Sequence, residues 1–451
     1  MIPDISRTTA AAVAVLLLTA CGSVPLAPAR RATDELLAPR LATTAAAESE
    51  LHALLAQPLD AATAVRIALL RNPAIQIQYT RLDLAAADVF DATRLRNPMV
   101  GIGMLWPLSD GAQSQITGSL SWPLGDWLQL KSRRSAGNAE FTARQQQVAA
   151  AIYTLSIEVQ EAWLAAVEAQ QRQVVRLDIA ESAGVGAELA AQYRAAGNLD
   201  ALSVALLGAA GSEATLGSQR SRADLARASA RLRQLLGLTA VDPPLRLPTS
   251  LPAPGPVALD RDALSAQARS QRLDLQAARS EVALQELRAT STRRFRWFAG
   301  GSVGAIGERE EVDGDRAGAT LALPLPIFQQ QQGDVVRSNA ELTAAQLRVR
   351  QIEIAIDAEI EAELQQMTSA EAQYRECRET LIPQRGAAVA RLTERGNFML
   401  SDPFPLLLAR QQEYGAYEDA LLALRDYWRS RIALARALGA PLISISTEPQ
   451  S

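Results

Sequence analysis

The side chains able to do chemistry are few, and their spacing limits what they can do. In 451 residues there is one histidine, His52, and two cysteines, Cys21 and Cys377. A Cys/His zinc site cannot be assembled from these, and any Ser-His-Asp triad would have to use His52. That residue lies in an Ala/Glu-rich stretch with no partner constellation and reads as solvated. Cys377 reads as a packed or idle thiol. Glu310 and Glu311 could be paired as catalytic carboxylates. They sit, however, in an acidic run from Gly307 to Arg316 with Glu308, Asp313 and Asp315. No apolar pocket surrounds the run to shift a pKa, so it reads as a water-facing turn. The expectation is a protein with no catalytic residue, no metal and no cofactor.

Cys21 is different. Arg7 and the terminal amine form a short positive region, and Ala10 to Leu18 an apolar one too short to stay as a membrane-spanning helix. Leu18-Thr19-Ala20-Cys21 then matches the lipobox of bacterial lipoproteins, in which the thiol is diacylated and the signal removed before it. Two or three acyl chains anchor a protein to lipid stably, whereas one does not. The alternative is a chance cysteine after a plain signal peptide. Gly22, where an Asp would retain the product, fits delivery to the outer membrane.

The elements that would carry these sites are long. From Trp127 to Gly197 there is no proline, and Ala, Gln, Glu, Arg and Leu dominate. Val148, Ile152, Leu155, Val159, Ala162 and Ala166 recur at a period near 3.5, the spacing of helices that coil round one another. Tyr153 to Val159 also alternate at period two, as do Ile352 to Leu364, which is the strand signal. The intervening Glu, Gln and Asp are poor strand formers, so both stretches read as helix with two apolar stripes.

Composition agrees: 48% apolar content excludes wholesale disorder, and only 4% aromatic content suits close helix packing better than a thick core. Net charge is −4, so no basic balance argues for nucleic acid.

One plan occurs twice, with landmarks offset by 199 to 202 residues. Leu59-Asp60 and Leu259-Asp260 each open a helical run of about forty residues, with Asp as N-cap. Two alternating stretches follow: Val100 to Trp106 and Ile116 to Trp122, then Trp297 to Ile306 and Ala317 to Leu323. A long helix ends at Gly197-Asn198 or Gly396-Asn397, turn chemistry because both residues tolerate positive φ. A last helix returns to Leu236-Gly237 or Leu438-Gly439. The resulting division is a signal (1–20), a tether with at most one short helix (21–58), a first repeat (59–242), a Pro-rich linker (243–258), a second repeat (259–442) and a tail (443–451).

The strand stretches are apolar on one face and small or polar on the other, with aromatics near their ends. Four strands cannot close a barrel in lipid, where open edges are forbidden. Either they pack as a soluble sheet, or several chains share one barrel; the lipobox and the helix lengths favour the second.

These residues resemble the TolC-like outer-membrane efflux proteins of the lipoprotein type. The likeness rests on the lipobox, on Arg71-Asn72-Pro73-Ala74-Ile75, on Asn97-Pro98, on Pro324-Leu325-Pro326-Ile327-Phe328 with Gly333, and on the paired Gly-Asn turns. It runs from about residue 59 to 442. It implies a mainly α fold with a small β part. Duplicated helical hairpins form a periplasmic α-barrel, and four strands per chain enter a shared 12-stranded transmembrane β-barrel of a homotrimer. It implies an outer-membrane exit duct, lipid-anchored, passively conducting substrates from an inner-membrane efflux transporter and a periplasmic adaptor to the outside. Gly197, Asn198, Gly396 and Asn397 would form the adaptor-contacting tip. Asp402 matches an acidic ring at the tunnel constriction, although Ser203 stands at the equivalent place in the first copy. Pro403 and Pro405 predict a late or bent start to the helix after it. Asp402 reads equally as the N-cap of that helix. Thr393 stands where a locking tyrosine can occur. The rival reading is a lipid-anchored periplasmic adaptor or scaffold, which should carry β-rich domains round a single hairpin; this chain has two hairpins and little else.

Overall fold

The computed structural model describes residues 24, 26–41, 50–106, 114–255, 260–297, 300–310, 314–398 and 403–441. In chain order the elements are α1 (Leu26–Leu41), α2 (Leu51–Ala56), α3 (Ala61–Arg71), α4 (Pro73–Ala92), β1 (Met99–Leu105) and β2 (Gln115–Pro123). Then come α5 (Leu124–Ala195), α6 (Ala201–Leu236), α7 (Arg261–Gln271), α8 (Leu273–Phe295), β3 (Ser302–Glu310) and β4 (Gly314–Ala322). The last are α9 (Gln332–Glu376), a π-helical turn (Cys377–Leu381), α10 (Ile382–Asn397) and α11 (Pro403–Leu438). The fold is mainly α with one small sheet, and its element order repeats. Helices α3 and α7 are both 11 residues long, and α6 and α11 both 36.

Capping explains where the helices begin. Asp60 accepts the Thr63 N–H at 2.6 Å, and Asp260 the Asp262 N–H at 3.1 Å. The opening runs are not single helices of forty residues. Each breaks after eleven, at Asn72 (φ −68°, ψ 117°) and at Arg272 (φ −63°, ψ 120°). Pro73 explains the first break, because it excludes α geometry at the residue before it. The second adopts the same backbone without a proline.

Helix α5 has 72 residues and, at ~1.5 Å per residue, is roughly 110 Å long. The alternating stretch Tyr153 to Val159 lies inside it, and Ile352 to Leu364 inside α9, so helix prevails over strand. In α5 Ile152, Tyr153, Ile157, Val159 and Trp163 are all buried, so both stripes are covered. In α9 Ile356 and Ile360 are buried while Ile354 is exposed, which leaves one stripe uncovered within the chain.

The described residues cluster in two compact units. One draws on Met1–Asp34, Tyr79–Val148 and Ala277–Val349. It contains the antiparallel sheet in the order β1-β2-β3-β4. Its helices are joined by Arg288 to Glu140 at 2.7 Å and Ser280 to Gln146 at 2.6 Å. The sequence places β3 from Trp297, but it starts at Ser302, after Gly300 at φ +90°.

The other unit draws on Glu35–Gln78, Ala149–Gln276 and Arg350–Ser451. Its core holds Trp163, Tyr427, Leu59, Ile67, Leu232 and Leu236. The Trp163 indole donates to the Leu59 carbonyl at 2.6 Å, and the Tyr153 hydroxyl to the Ala435 carbonyl at 2.8 Å. The linker is pinned as well: Trp428 Nε1 donates to the Pro252 carbonyl at 2.9 Å. The tether expectation needs correcting, because α1 and α2 are two helices with Leu37, Leu51 and Leu55 buried. Their apolar residues recur at three- and four-residue spacing, which the prolines at positions 28 and 39 obscure.

Candidate functional site

Register places most of the sheet's apolar side chains on one face, with Met99, Leu105 and Ile306 on the other. Val100 pairs Leu120, which pairs Ala305, which pairs Ala319; one step along, Trp122 pairs Val303, which pairs Leu321. The opposite face carries Gly101, Gly103, Thr117, Ser119, Ser121, Gly304 and Thr320. A Cβ at Gly101 would lie 2.6 Å from the Ser119 hydroxyl oxygen and one at Gly103 2.7 Å from that of Thr117, so each hydroxyl would have to rotate away. The apolar face is bare within the chain: Val100 is 71% exposed, Ile102 83% and Leu321 65%. Leaving such side chains in water forgoes roughly 1.5–3 kcal/mol each, so these three alone forgo roughly 5–9 kcal/mol, on the scale of a whole domain's stability. The outer strands β1 and β4 each pair on one side only among the described residues.

The acidic run is not a turn from Gly307 to Arg316. Gly307 to Glu310 complete β3 and Gly314 to Arg316 begin β4, while Glu311 and Asp313 lie outside the described residues. Register sets Glu308 opposite Arg316 and Arg309 opposite Asp315, so the hairpin alternates charge across its strands.

The two Gly-Asn pairs differ. Gly197 stands at φ +80°, with its N–H donating to Arg194 and that of Asn198 to Tyr193, both at 2.9 Å. That is a Schellman end, which needs a left-handed residue. Both residues are exposed. Gly396 does not turn the chain: it lies in the last turn of α10, and Asn397 is the final helical residue. The Phe398 N–H closes the helix onto the Glu394 carbonyl at 3.3 Å.

Asp200, not singled out in the sequence, caps α6. It accepts the Ser203 N–H at 2.9 Å and the Ser203 hydroxyl at 2.6 Å. Those bonds, the hydroxyl's foremost, hold its carboxyl below the ordinary range. Asp402 and Cys21 lie outside the described residues. Helix α11 begins directly at Pro403, so the expected late start does not occur. Because α6 and α11 are equally long, residue 402 answers to Asp200 and not to Ser203. The signal was legible, since Asp-x-x-Ser is a cap pattern. Thr393 spends its hydroxyl on the Val389 carbonyl of its own helix at 2.8 Å.

Between α5, α6 and α11 lies a cavity of about 240 Å³ lined by Ile179, Ala183, Leu207, Phe404, Leu407 and Tyr414. Arg176 and Glu418 join α5 to α11 at 2.5 Å. Burial pushes the Glu418 carboxyl up, against the pull of Arg176 and Arg172. Burial likewise pushes the Cys377 thiol up, which agrees with an unreactive sulfur. His52 is exposed. Among the described residues no group of three metal-ligating side chains occurs, and no helix is long and apolar enough to cross a membrane.

No family model and no curated protein matches the chain. Solved structures do. A membrane protein from Pseudomonas aeruginosa superposes with TM-score 0.69 at 19% identity, covering 84% of this chain and 93% of that one. The outer membrane protein VceC of Vibrio cholerae gives 0.68 at 15% over 85% and 97%. The CmeC outer membrane channel of Campylobacter jejuni gives 0.71 at 14% over 84% and 85%. At these identities the likeness is one of fold, and it spans nearly the whole of each partner.

Proposed function

Because the chain has the TolC-like fold of outer-membrane channel proteins, we propose that it is an outer-membrane exit duct of a tripartite efflux pump. The observation that supports this most is the sheet: one bare, mainly apolar face, one mainly polar face, and at each edge a strand paired on one side only among the described residues. Such a sheet is stable in lipid only if further copies close it into a barrel. Three copies give the twelve strands the family resemblance implies. The helices would continue the conduit into the periplasm, and substrate would pass without chemistry. The turn at Gly197-Asn198 and the end of α10 at Gly396-Asn397 would meet a periplasmic adaptor, which links the duct to an inner-membrane transporter. Cys21 would carry the acyl anchor.

The test is reconstitution of the acylated protein. Mild detergent should extract a trimer whose strand segments resist protease, and this trimer should conduct ions across a planar bilayer. A soluble, non-conducting monomer would end the duct reading. Cys21→Ser should abolish fatty-acid labelling; undiminished labelling would refute the anchor alone.

A further inference from the structure

The end of the sheet that meets the helices carries a concentration of positive charge. Arg94 and Arg96 precede β1, Lys131, Arg133 and Arg134 lie early in α5, and Arg293, Arg294 and Arg296 precede β3. Residues 93–98, 124–135 and 289–297 hold these eight cations and one carboxylate, Asp126, in a chain whose net charge is −4, while Asp91, Glu140 and Asp334 lie beside those segments. The far end of the sheet is mixed in charge, with Glu308, Glu310 and Asp315 beside Arg309 and Arg316 on the β3-β4 hairpin.

Neutral groups hold several of these cations, and one carboxylate is shared between two of them. Arg133 Nη2 donates to the Arg94 carbonyl at 3.3 Å, and Arg134 Nε to the Thr93 carbonyl at 3.2 Å. These bonds draw the segment before β1 onto α5. Asp126 is shared, its oxygens 3.6 Å from Arg133 and 3.7 Å from Arg96. Arg94 lies 3.8 Å from the centre of the Phe90 ring, and Arg296 4.5 Å from that of Trp297. Arg94, Arg96, Lys131, Arg134, Arg293 and Arg294 are exposed.

Apolar groups stand exposed among them: Trp127, Trp297 and Leu95, with Leu325, Ile327 and Phe328 after β4. Phe328 is 94% exposed. Tryptophan and snorkelling arginine beside an apolar sheet face are the composition of a membrane–water boundary. A nucleic acid would satisfy the cations but leave the aliphatic loop and the sheet face in water.

We propose that this collar binds the anionic phosphate headgroups of a phospholipid leaflet, with the apolar sheet face rising from it into the acyl region. This rests on the membrane-spanning reading above. The collar sets the depth of the sheet in the bilayer and gathers acidic lipid around it.

The experiment uses the full-length protein in phosphatidylcholine nanodiscs containing a minority of labelled phosphatidylglycerol. The parent should enrich the anionic lipid at its surface, and salt should weaken the enrichment over a Debye length of ~10 Å at 0.1 M. The variant Arg94→Gln/Arg96→Gln/Lys131→Gln/Arg294→Gln should lose enrichment by about tenfold or more, since each cation near an anionic surface is worth roughly fivefold. A charge-preserving variant, with lysine at the three arginine positions, should keep most of it. Unchanged detergent-phase unfolding of both variants shows that they fold. If the parent enters neutral discs but shows no preference, or if the glutamine variant matches it, the collar is refuted while the membrane reading stands. If the parent enters neither disc, both fall. Binding of short duplex DNA that is lost in the glutamine variant, without lipid enrichment, also overturns the proposal.

Discussion

Gly237 ends α6 directly against the carbonyl oxygen of Arg71: a Cβ on that glycine would sit 2.3 Å from it. Arg71 is the last residue of α3, so the end of one helix is the seat of another. The second copy repeats the contact, with Gly439 against Arg272, where a Cβ would meet the Cα at 2.9 Å. Both glycines are left-handed, at φ +70° and +67°.

Gly237→Ala should therefore be costly twice over. The left-handed backbone alone costs roughly 1–2 kcal/mol, and displacing α3 should bring the total to about 3 kcal/mol or more. Gly197→Ala has the same backbone demand but open space around it. It should loosen only its own turn, with global unfolding in detergent unchanged. Equal losses in the two variants would refute the steric account.

Asn72 should couple to that contact. Its side-chain amide donates to the Leu235 carbonyl at 2.7 Å, and its side-chain oxygen accepts the Ala74 N–H at 2.7 Å. Asn72→Ala strands a buried carbonyl and should lower stability by about 1–3 kcal/mol. Combined with Gly237→Ala, the loss should be smaller than the sum, because both loosen one junction. Strict additivity in a denaturant series would show that the two sites are independent.

The α6 cap should respond to acid. Its folded carboxyl titrates below the unfolded value because Ser203 donates to it. A depressed pKa stabilises the fold above the unfolded value, and that contribution is lost as pH falls through the lower folded one. Amide exchange from Ala201 to Val204, corrected for intrinsic rate, should quicken across that acidic window. In Asp200→Asn it should not, since Asn caps nearly as well without titrating.

Asp402→Asn separates the two roles open to that residue. Three carboxylates at a constriction would give cation preference and block by divalent ions, both weakened in the variant. A cap alone would leave bilayer conductance and selectivity unchanged. The second result would discard the ring and leave the duct standing.

Much of the fold is readable in the sequence because the periods are strong. Val100, Ile102 and Met104 alternate with Gly101 and Gly103 at the strand period, and α5 has no proline over its length. The break at Asn72 is written in Pro73, but the matching break at Arg272 has no local signal. The Arg272 side chain is held instead by pairing with nearby Asp274 at 2.7 Å and, across the fold, with Glu359 of α9. Gly396 misleads because it has the same neighbour as Gly197, and a Gly-Asn pair alone does not fix φ at its glycine. Asp200 is hidden when the phase of α6 is counted from the glycine and not from the cap.

The π-helical turn from Cys377 to Leu381 has a consequence for the second hairpin. Its closing bond, from the Ile382 N–H to the Cys377 carbonyl, spans one residue more than an α turn, immediately ahead of Pro383. One added residue rotates everything beyond it by about 100° around the helix axis. The stripe that α9 buries is thus not the stripe that α10 presents, while α5 carries its phase unbroken to Gly197. Under the duct reading, a partner that gripped both hairpins at these ends would meet two surfaces instead of one surface twice.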